Sequence, residues 1–344
     1  MSLKSASEKY LPFIEAELRQ VVTPHDPCLA PFYGMMRYHL GWVDEGFAPS
    51  KGGAGKGLRP LLCLLTCQAS GGDPNQALPA AAAIELVHNF SLVHDDIEDR
   101  SPVRRGRATV WKLWGAPQAI NVGDSLFALA HLAMQRLADR GVPHGRVLTA
   151  LEILDQTCLA LTEGQYLDLS FEVRLDVGVD EYLAMIRGKT AALFSAAAQL
   201  GALIAESEPQ TIACYRRFGE NLGLAFQIVD DILGIWGDPQ VTGKPTADDI
   251  RQCKKTLPIV RALEVEKKTA NKSLRDIYQR AALDEEAVKA VLNILEDSGA
   301  RRYAEATAKG YYQKALAELD VTDVGNEARD DLRELAAFLI ERTY

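Results

Sequence analysis

The sequence predicts an all-α protein, on three observations. Apolar residues recur at helical spacing over long segments, no run alternates apolar and polar residues as a half-buried strand would, and several segments are apolar on almost every side. The candidate helices cover 6–22, 30–44, 57–70, 76–99, 117–139, 145–174, 178–205, 208–235, 255–269, 284–297, 299–319 and 326–342. Within 76–99, AAAAIELVHNFSLVH has the make-up of a helix at the centre of a bundle. Two polar breaks carry Gly and Pro, SPVRRGR at 101–107 and GDPQVTGKPTADDIRQCKK at 237–255. No linker rich in Pro, Gly or Ser divides the chain, so residues 1–344 are expected to form a single large helical domain.

Composition narrows the function. With 344 residues, 47% hydrophobic and 25% charged, the chain can bury a sizeable core, which excludes disorder and collagen. Asp and Glu number 47 against 38 Lys and Arg, a formal charge of -9 that argues against a surface built for nucleic acid or an anionic membrane. An anionic ligand then needs a local basic cluster or metal ions. The six cysteines (Cys28, Cys63, Cys67, Cys158, Cys214, Cys253) show no CxxC or zinc-like spacing, and a reducing cytoplasm with buried thiols is expected. The first residues mix Lys and Glu with apolar residues, unlike a signal peptide. The most apolar stretches, 78–87 and 193–205, are interrupted by Glu85 and Gln199 and fall short of the roughly 20 residues that span a bilayer, so no membrane anchor is expected.

One pattern recurs: an apolar helix ends in paired aspartates and a basic loop follows. In SLVHDDIEDR, Asp95 and Asp99 are four apart and share a helix face, with Asp96 about 100° round from Asp95. Ser101, Pro102 and Gly106 end the helix soon after, so these carboxylates gather near a C-terminus, where the helix dipole disfavours negative charge. Magnesium suits them, since it takes one or two carboxylates and shares its other positions with water and phosphate oxygens. In GLAFQIVDDILGIWGD, Asp230 and Asp231 again follow an apolar stretch, and a soluble protein rarely aims adjacent carboxylates from a core helix without a partner. Were the two helices neighbours, both acidic ends could face one cavity and share several metal ions. A solvated helix end explains either motif alone and explains the pair poorly.

These residues stand in a longer series. GKGLRP at 55–60, DDIEDRSPVRRGRATVW at 95–111, NVGDSL at 121–126, GQYLD at 164–168, GKTAALF at 188–194, GLAFQIVDD, VTGK and CKKT follow in order. The series resembles the trans-isoprenyl diphosphate synthases, or polyprenyl synthetases, from about Gly55 to Thr256. The resemblance implies the helical bundle of that family with a central active-site cavity. It also implies a prenyltransferase of isoprenoid biosynthesis that condenses isopentenyl diphosphate with dimethylallyl, geranyl or farnesyl diphosphate. Three Mg2+ ions, a homodimer and a cytoplasmic location come with it.

Residue by residue, the resemblance assigns metal binding to Asp95, Asp99 and Asp230, with Asp96 and Asp231 in support, and adds Lys189 to the catalytic set. Arg104, Lys189, Gln227, Lys244 and Lys254 match contacts to the allylic diphosphate. Lys56, Arg59, His88 and Arg105 match the isopentenyl diphosphate site. Thr190 belongs with the substrate-binding residues, although it and Asp168 also suit capping or packing. His88 alone would be an ordinary core histidine, Gln227 a buried amide and Lys254 with Lys255 a solvated pair; only the motif spacing raises them. His94 and Asp124 lie in motifs and are assigned no chemistry. Two residues depart from the pattern. Gly57 stands where the family usually has Arg, and Gly234 takes the fifth position of the second DDxxD, with Asp238 as a later acid.

The expected reaction ionises the allylic diphosphate, adds the double bond of isopentenyl diphosphate to the cation and loses a proton, with metal ions stabilising the leaving group. Phe90 lies about 7.5 Å along the helix from Asp95 at 1.5 Å per residue, and its ring can floor the product pocket beside Ser91. That arrangement resembles short-chain synthases, with geranylgeranyl diphosphate (C20) expected and farnesyl diphosphate (C15) the alternative. Two rivals differ in class. A class I terpene cyclase would carry an NSE-type second motif, and an inactive regulatory subunit would have lost one aspartate motif.

Overall fold

The computed structural model describes residues 3–50, 52, 55–239, 245–269, 272–280, 282–322 and 327–340. The fold class is all-α, as the periodicity predicts. The principal helices are α1 (Leu3–Val21), α2 (Ala30–His39), α3 (Leu58–Ala69), α4 (Pro74–Glu98), α5 (Val110–Trp114), α6 (Ala116–Gln135), α7 (His144–Glu172), α8 (Val179–Ile186), α9 (Ala192–Ile204) and α10 (Pro209–Trp236). They continue with α11 (Asp248–Arg251), α12 (Leu257–Thr269), α13 (Ser273–Tyr278), α14 (Glu285–Asp297), α15 (Ala300–Val321) and α16 (Glu327–Ile340). Among the described residues the only paired strands are β1 (Val103–Arg104) and β2 (Arg107–Ala108). No described helix is long and apolar enough to cross a membrane.

The described residues group into two compact units. The first draws on 3–156, 196–212 and 327–332. Its centre is α4, which packs along α3 and α6 and is buried from Ala77 to Val87 almost without interruption. Asp73 caps α4 by accepting from the Asn75 N–H, and Pro74 sits where a helix tolerates proline. Gly201 of α9 lies against α3 so closely that a Cβ there would stand 2.8 Å from the Cys67 nitrogen. The second unit draws on 157–195, 213–322 and 333–340. In it α12 lies against α8 and α15, and Tyr182, Phe171, Ile228, Ile232, Leu257 and Val260 share one buried cluster.

The long helices follow the sequence expectation, and the differences are local. The helix expected over 30–44 stops at His39, because Gly41 takes a positive φ of 82° and the Gly41 and Trp42 N–H groups bond back to the Tyr38 and Arg37 carbonyls; Asp44 then closes a separate turn, its carboxylate accepting from the Gly46 and Ala48 N–H groups. The helix expected over 178–205 is interrupted by a π-turn at Arg187–Ala191. The break at 101–107 folds as a hairpin, and short helices α5, α11 and α13 form where no helix is expected. No disulfide joins the six cysteines; Cys63, Cys67, Cys158 and Cys214 are buried as expected, whereas Cys28 is exposed and Cys253 half-buried.

Candidate active site

In the first unit α4 delivers its carboxylates to the end of a buried helix. The Asp99 N–H bonds the Asp95 carbonyl and the Ser101 N–H bonds the Asp96 carbonyl, which ends the helix. The hairpin then turns through Arg105 (φ 53°) and Gly106 (φ 74°), two consecutive positive-φ residues that suit a tight turn between twisted strands. This reversal swings Arg104 back over the helix end. Its Nε donates to Asp96 Oδ1 at 2.7 Å and its Nη2 to Asp95 Oδ2 at 3.0 Å. Asp96 is 2% exposed, and burial pushes its carboxyl up to about 6 against the pull of Arg104. Arg107, two residues on from Arg105, is spent on structure: it donates to the Tyr38, Val43 and Gly52 carbonyls and stacks over the Tyr38 ring at 3.9 Å.

The residues expected to meet the second substrate lie behind this end. Arg59 Nη1 is 3.4 Å from His88 Nε2, and burial together with the Arg59 charge holds His88 well below its ordinary pKa, so it is neutral. Lys56 is exposed on the loop before α3. Gly57 has φ 57°, and a Cβ there would stand 2.6 Å from Leu11 Cδ2, so the missing Arg has a steric reason. Gly55 lies against the Arg105 guanidinium, which a Cβ would approach to 3.0 Å.

Three residues missed by the sequence reasoning extend this group. Glu85 is buried, its Oε1 accepts from Asn89 Nδ2 at 3.0 Å, and the charges of Arg59 and Arg105 oppose the rise that burial imposes on its carboxyl. His39, at the end of α2, lines a cavity with Asp96, Arg104 and Arg105, and burial, then the Arg105 and Arg104 charges, push it down to about 3. The signal for Glu85 was present as the lone charge in an apolar run; nothing marked Asn89 or His39. Phe90 is buried as expected and meets Phe127 of α6 edge-on at 5.3 Å, while Ser91 Oγ donates to the His88 carbonyl.

In the second unit the glycines of GQYLD and GKT meet. A Cβ on Gly188 would stand 2.5 Å from the Ala160 carbonyl oxygen, and one on Gly164 would stand 2.8 Å from Lys189 Cα. This approach and the π-turn place Lys189 Nζ 2.5 Å from Asp168 Oδ2. Thr190 Oγ1 donates to Gln227 Oε1 at 2.7 Å, and Gln227 Nε2 donates to Asp231 Oδ1 at 3.1 Å. Asp231 also accepts from the Tyr182 hydroxyl and, at 2.9 Å, from the Leu257 N–H. Burial pushes its carboxyl up to about 7 against these donors. Asp230, its neighbour, is exposed. Lys255 is half-buried and donates to the Glu172 carbonyl, whereas Lys254 is exposed. Lys244 lies outside the described residues.

A family model for polyprenyl synthetase matches residues 43–295. The chain belongs to the polyprenyl synthetase family. A farnesyl diphosphate synthase of Mycobacterium tuberculosis is 39% identical over 96% of this chain and 90% of its own length. A geranylgeranyl diphosphate synthase of the same organism is 43% identical over 84% of this chain and 81% of its own. Among solved structures, a polyprenyl synthetase from Streptomyces coelicolor superposes with a TM-score of 0.90 at 37% identity, covering 98% of this chain and 100% of that one. This polyprenyl synthetase is a trans-prenyltransferase that elongates prenyl chains.

Proposed function

We propose that the chain is a magnesium-dependent geranylgeranyl diphosphate synthase that adds isopentenyl diphosphate to dimethylallyl, geranyl or farnesyl diphosphate. The observation that carries the product length is Phe90. It lies buried on α4 five residues before Asp95, and Phe127 backs its ring, so an elongating tail that follows α4 away from the aspartates meets two aromatic rings. Farnesyl diphosphate is the alternative product, given the farnesyl synthase relative.

The donor set fits magnesium. Among the described residues no three carboxylates, imidazoles or thiolates converge to hold an ion by themselves, and magnesium needs no such set, because it keeps water and phosphate oxygens beside one or two carboxylates. Asp95, Asp99 and Asp230 would hold the ions, three in the full complex, while Asp96 and Asp231 are already held by Arg104 and by Tyr182 with Leu257. The ions would supply Lewis-acid stabilisation of the departing diphosphate. Arg104, Lys189, Gln227, Lys244 and Lys254 bind and orient that diphosphate in this reading, and Thr190 orients Gln227. Lys56, Arg59, His88 and Arg105 hold isopentenyl diphosphate, with His88 entering as a neutral donor or acceptor. The apolar wall around Phe90 keeps water from the allylic cation.

The single-domain organisation, a cytoplasmic location and a homodimer belong to the same proposal. Ile120 and Phe127 are exposed and lie seven residues apart on one side of α6, where they offer apolar surface for a second copy. The test is incubation of the purified chain with Mg2+, isopentenyl diphosphate and each allylic starter in turn, with products identified by mass. C20 from all three is expected; a stop at C15 moves the floor nearer the aspartates, and no elongation overturns the reading. Phe90→Ala is expected to lengthen the product, and an unchanged product would sink the floor assignment.

A further inference from the structure

The hairpin grips the chain at a second place. Arg107 stands directly across the ribbon from Arg104, and two cations so paired repel unless each has its own acceptors. Arg104 has the carboxylates of Asp95 and Asp96. Arg107 has backbone: its Nη1 donates to the Tyr38 and Gly52 carbonyls, each at 3.1 Å, and its Nη2 to the Val43 carbonyl at 2.6 Å, while its Cζ lies 3.9 Å from the centroid of the Tyr38 ring. A planar fork stacks on a ring and reaches several carbonyls at once, which the compact ammonium of a lysine does not.

The three carbonyls belong to one stretch of chain. Tyr38 lies in the last turn of α2, Val43 at the start of the loop that follows, and Gly52 beyond its return. Within this loop the Ser50 N–H bonds the Trp42 carbonyl at 3.0 Å and Val43 is bridged to Pro49, so the guanidinium joins both ends of an excursion that is already closed. The Tyr38 hydroxyl adds a bond of 2.8 Å to the carbonyl of Ala108, the residue after Arg107. Three residues after Gly52 the same hairpin meets the chain again, since a Cβ on Gly55 would stand 3.0 Å from Arg105 Nη2. Arg107 at Gly52 and Arg105 at Gly55 thus flank the entry to Lys56 and Arg59.

We propose that Arg107 is a positioning residue for isopentenyl diphosphate: by fastening Gly52 to the hairpin it sets where Lys56 and Arg59 stand relative to Arg105. This rests on the reading that Lys56, Arg59, His88 and Arg105 hold that substrate. Arg107 acts through the backbone and contacts no substrate itself. Its loss releases the segment that leads to two of those four groups and leaves Arg104 in place, because Arg104 has its own bonds to Asp95 and Asp96. The effect therefore falls on one diphosphate and spares the other.

The test is steady-state kinetics of Arg107→Met and Arg107→Lys in the full chain with Mg2+, varying isopentenyl diphosphate and geranyl diphosphate in turn, well below each variant's thermal midpoint. Arg107→Met is expected to raise KM for isopentenyl diphosphate about tenfold, Arg107→Lys about threefold, with KM for geranyl diphosphate and kcat each within about twofold of the wild type. Should Arg107→Met fail to fold, Tyr38→Phe, which loses only the bond to Ala108, is expected to raise the same KM about threefold. An equal rise in both KM values, or a lowered thermal midpoint with both KM values unchanged, would overturn the inference, since a side chain that serves stability alone gives no such split. Arg105→Gln separates the two readings. If it leaves KM for isopentenyl diphosphate unchanged, the assignment of that substrate's site fails and this inference with it; if it raises that KM while the Arg107 variants do not, this inference alone falls.

Discussion

The two acidic motifs solve the same problem by different means. Each carries adjacent aspartates of which the second is buried and held, Asp96 at 2% exposure and Asp231 at 5%. Asp96 is held by a cation, Arg104, that arrives on a hairpin from the following loop. Asp231 is held by neutral donors, the Tyr182 hydroxyl, the Leu257 N–H and the Gln227 amide, from three separate elements. A single charged clamp concentrates its effect in one side chain, and a distributed neutral clamp spreads it. The first motif is therefore the more vulnerable to one substitution.

Arg104→Gln gives the largest expected effect. It leaves Asp96 buried without its cation, at a cost of about 3 kcal/mol before any relief by protonation. Turnover is expected to fall at least about a hundredfold, since the same guanidinium faces the diphosphate in the proposed reaction. Steady-state kinetics and thermal unfolding read both. Tyr182→Phe keeps the ring and removes one of three donors to Asp231, so a loss of about 1–2 kcal/mol is expected. Equal losses for the two variants would erase the contrast between the clamps.

The last expected effect depends on pH and lies behind the first clamp. His39 is neutral in the folded chain, its pKa pushed down to about 3 by burial and by the neighbouring arginines, whereas its ordinary value is 6.5. Below about 6.5 the unfolded chain takes up a proton that the folded chain refuses, so native stability is lost as pH falls from about 6.5 towards 3. His39→Gln removes this uptake, and its thermal midpoint is expected to fall less between pH 7 and pH 4.5 than that of the wild type. Identical slopes would show that His39 does not couple to folding.

The sequence made legible what is periodic or contiguous. The long helices follow from apolar spacing, and both aspartate pairs with their basic loops stand in short words that can be read without a fold. What escaped depends on distant residues meeting. Tyr182 sits in an ordinary amphipathic helix, and nothing near it announces Asp231, 49 residues away. Asn89 looks like one polar residue in an apolar helix until its bond to Glu85 is seen. The hairpin at 103–108 is too short for alternation to register, and only its Arg-Gly turn hinted at it. Gly234 reads as a defect in the motif, and its steric reason, a Cβ that would stand 2.6 Å from the Asp249 Cγ, lies on the far side of the loop.

The hairpin also sets a rule about length. Arg104, Arg105 and Arg107 are chemically alike, yet one clamps carboxylates, one lies beside Gly55 and one fastens three backbone carbonyls. Their duties come from place in a two-residue turn, where a shift by one residue exchanges the faces of the ribbon. Adding or deleting a single residue between Ser101 and Ala108 would keep every arginine and reassign all three. This loop can vary in its letters far more readily than in its number of residues.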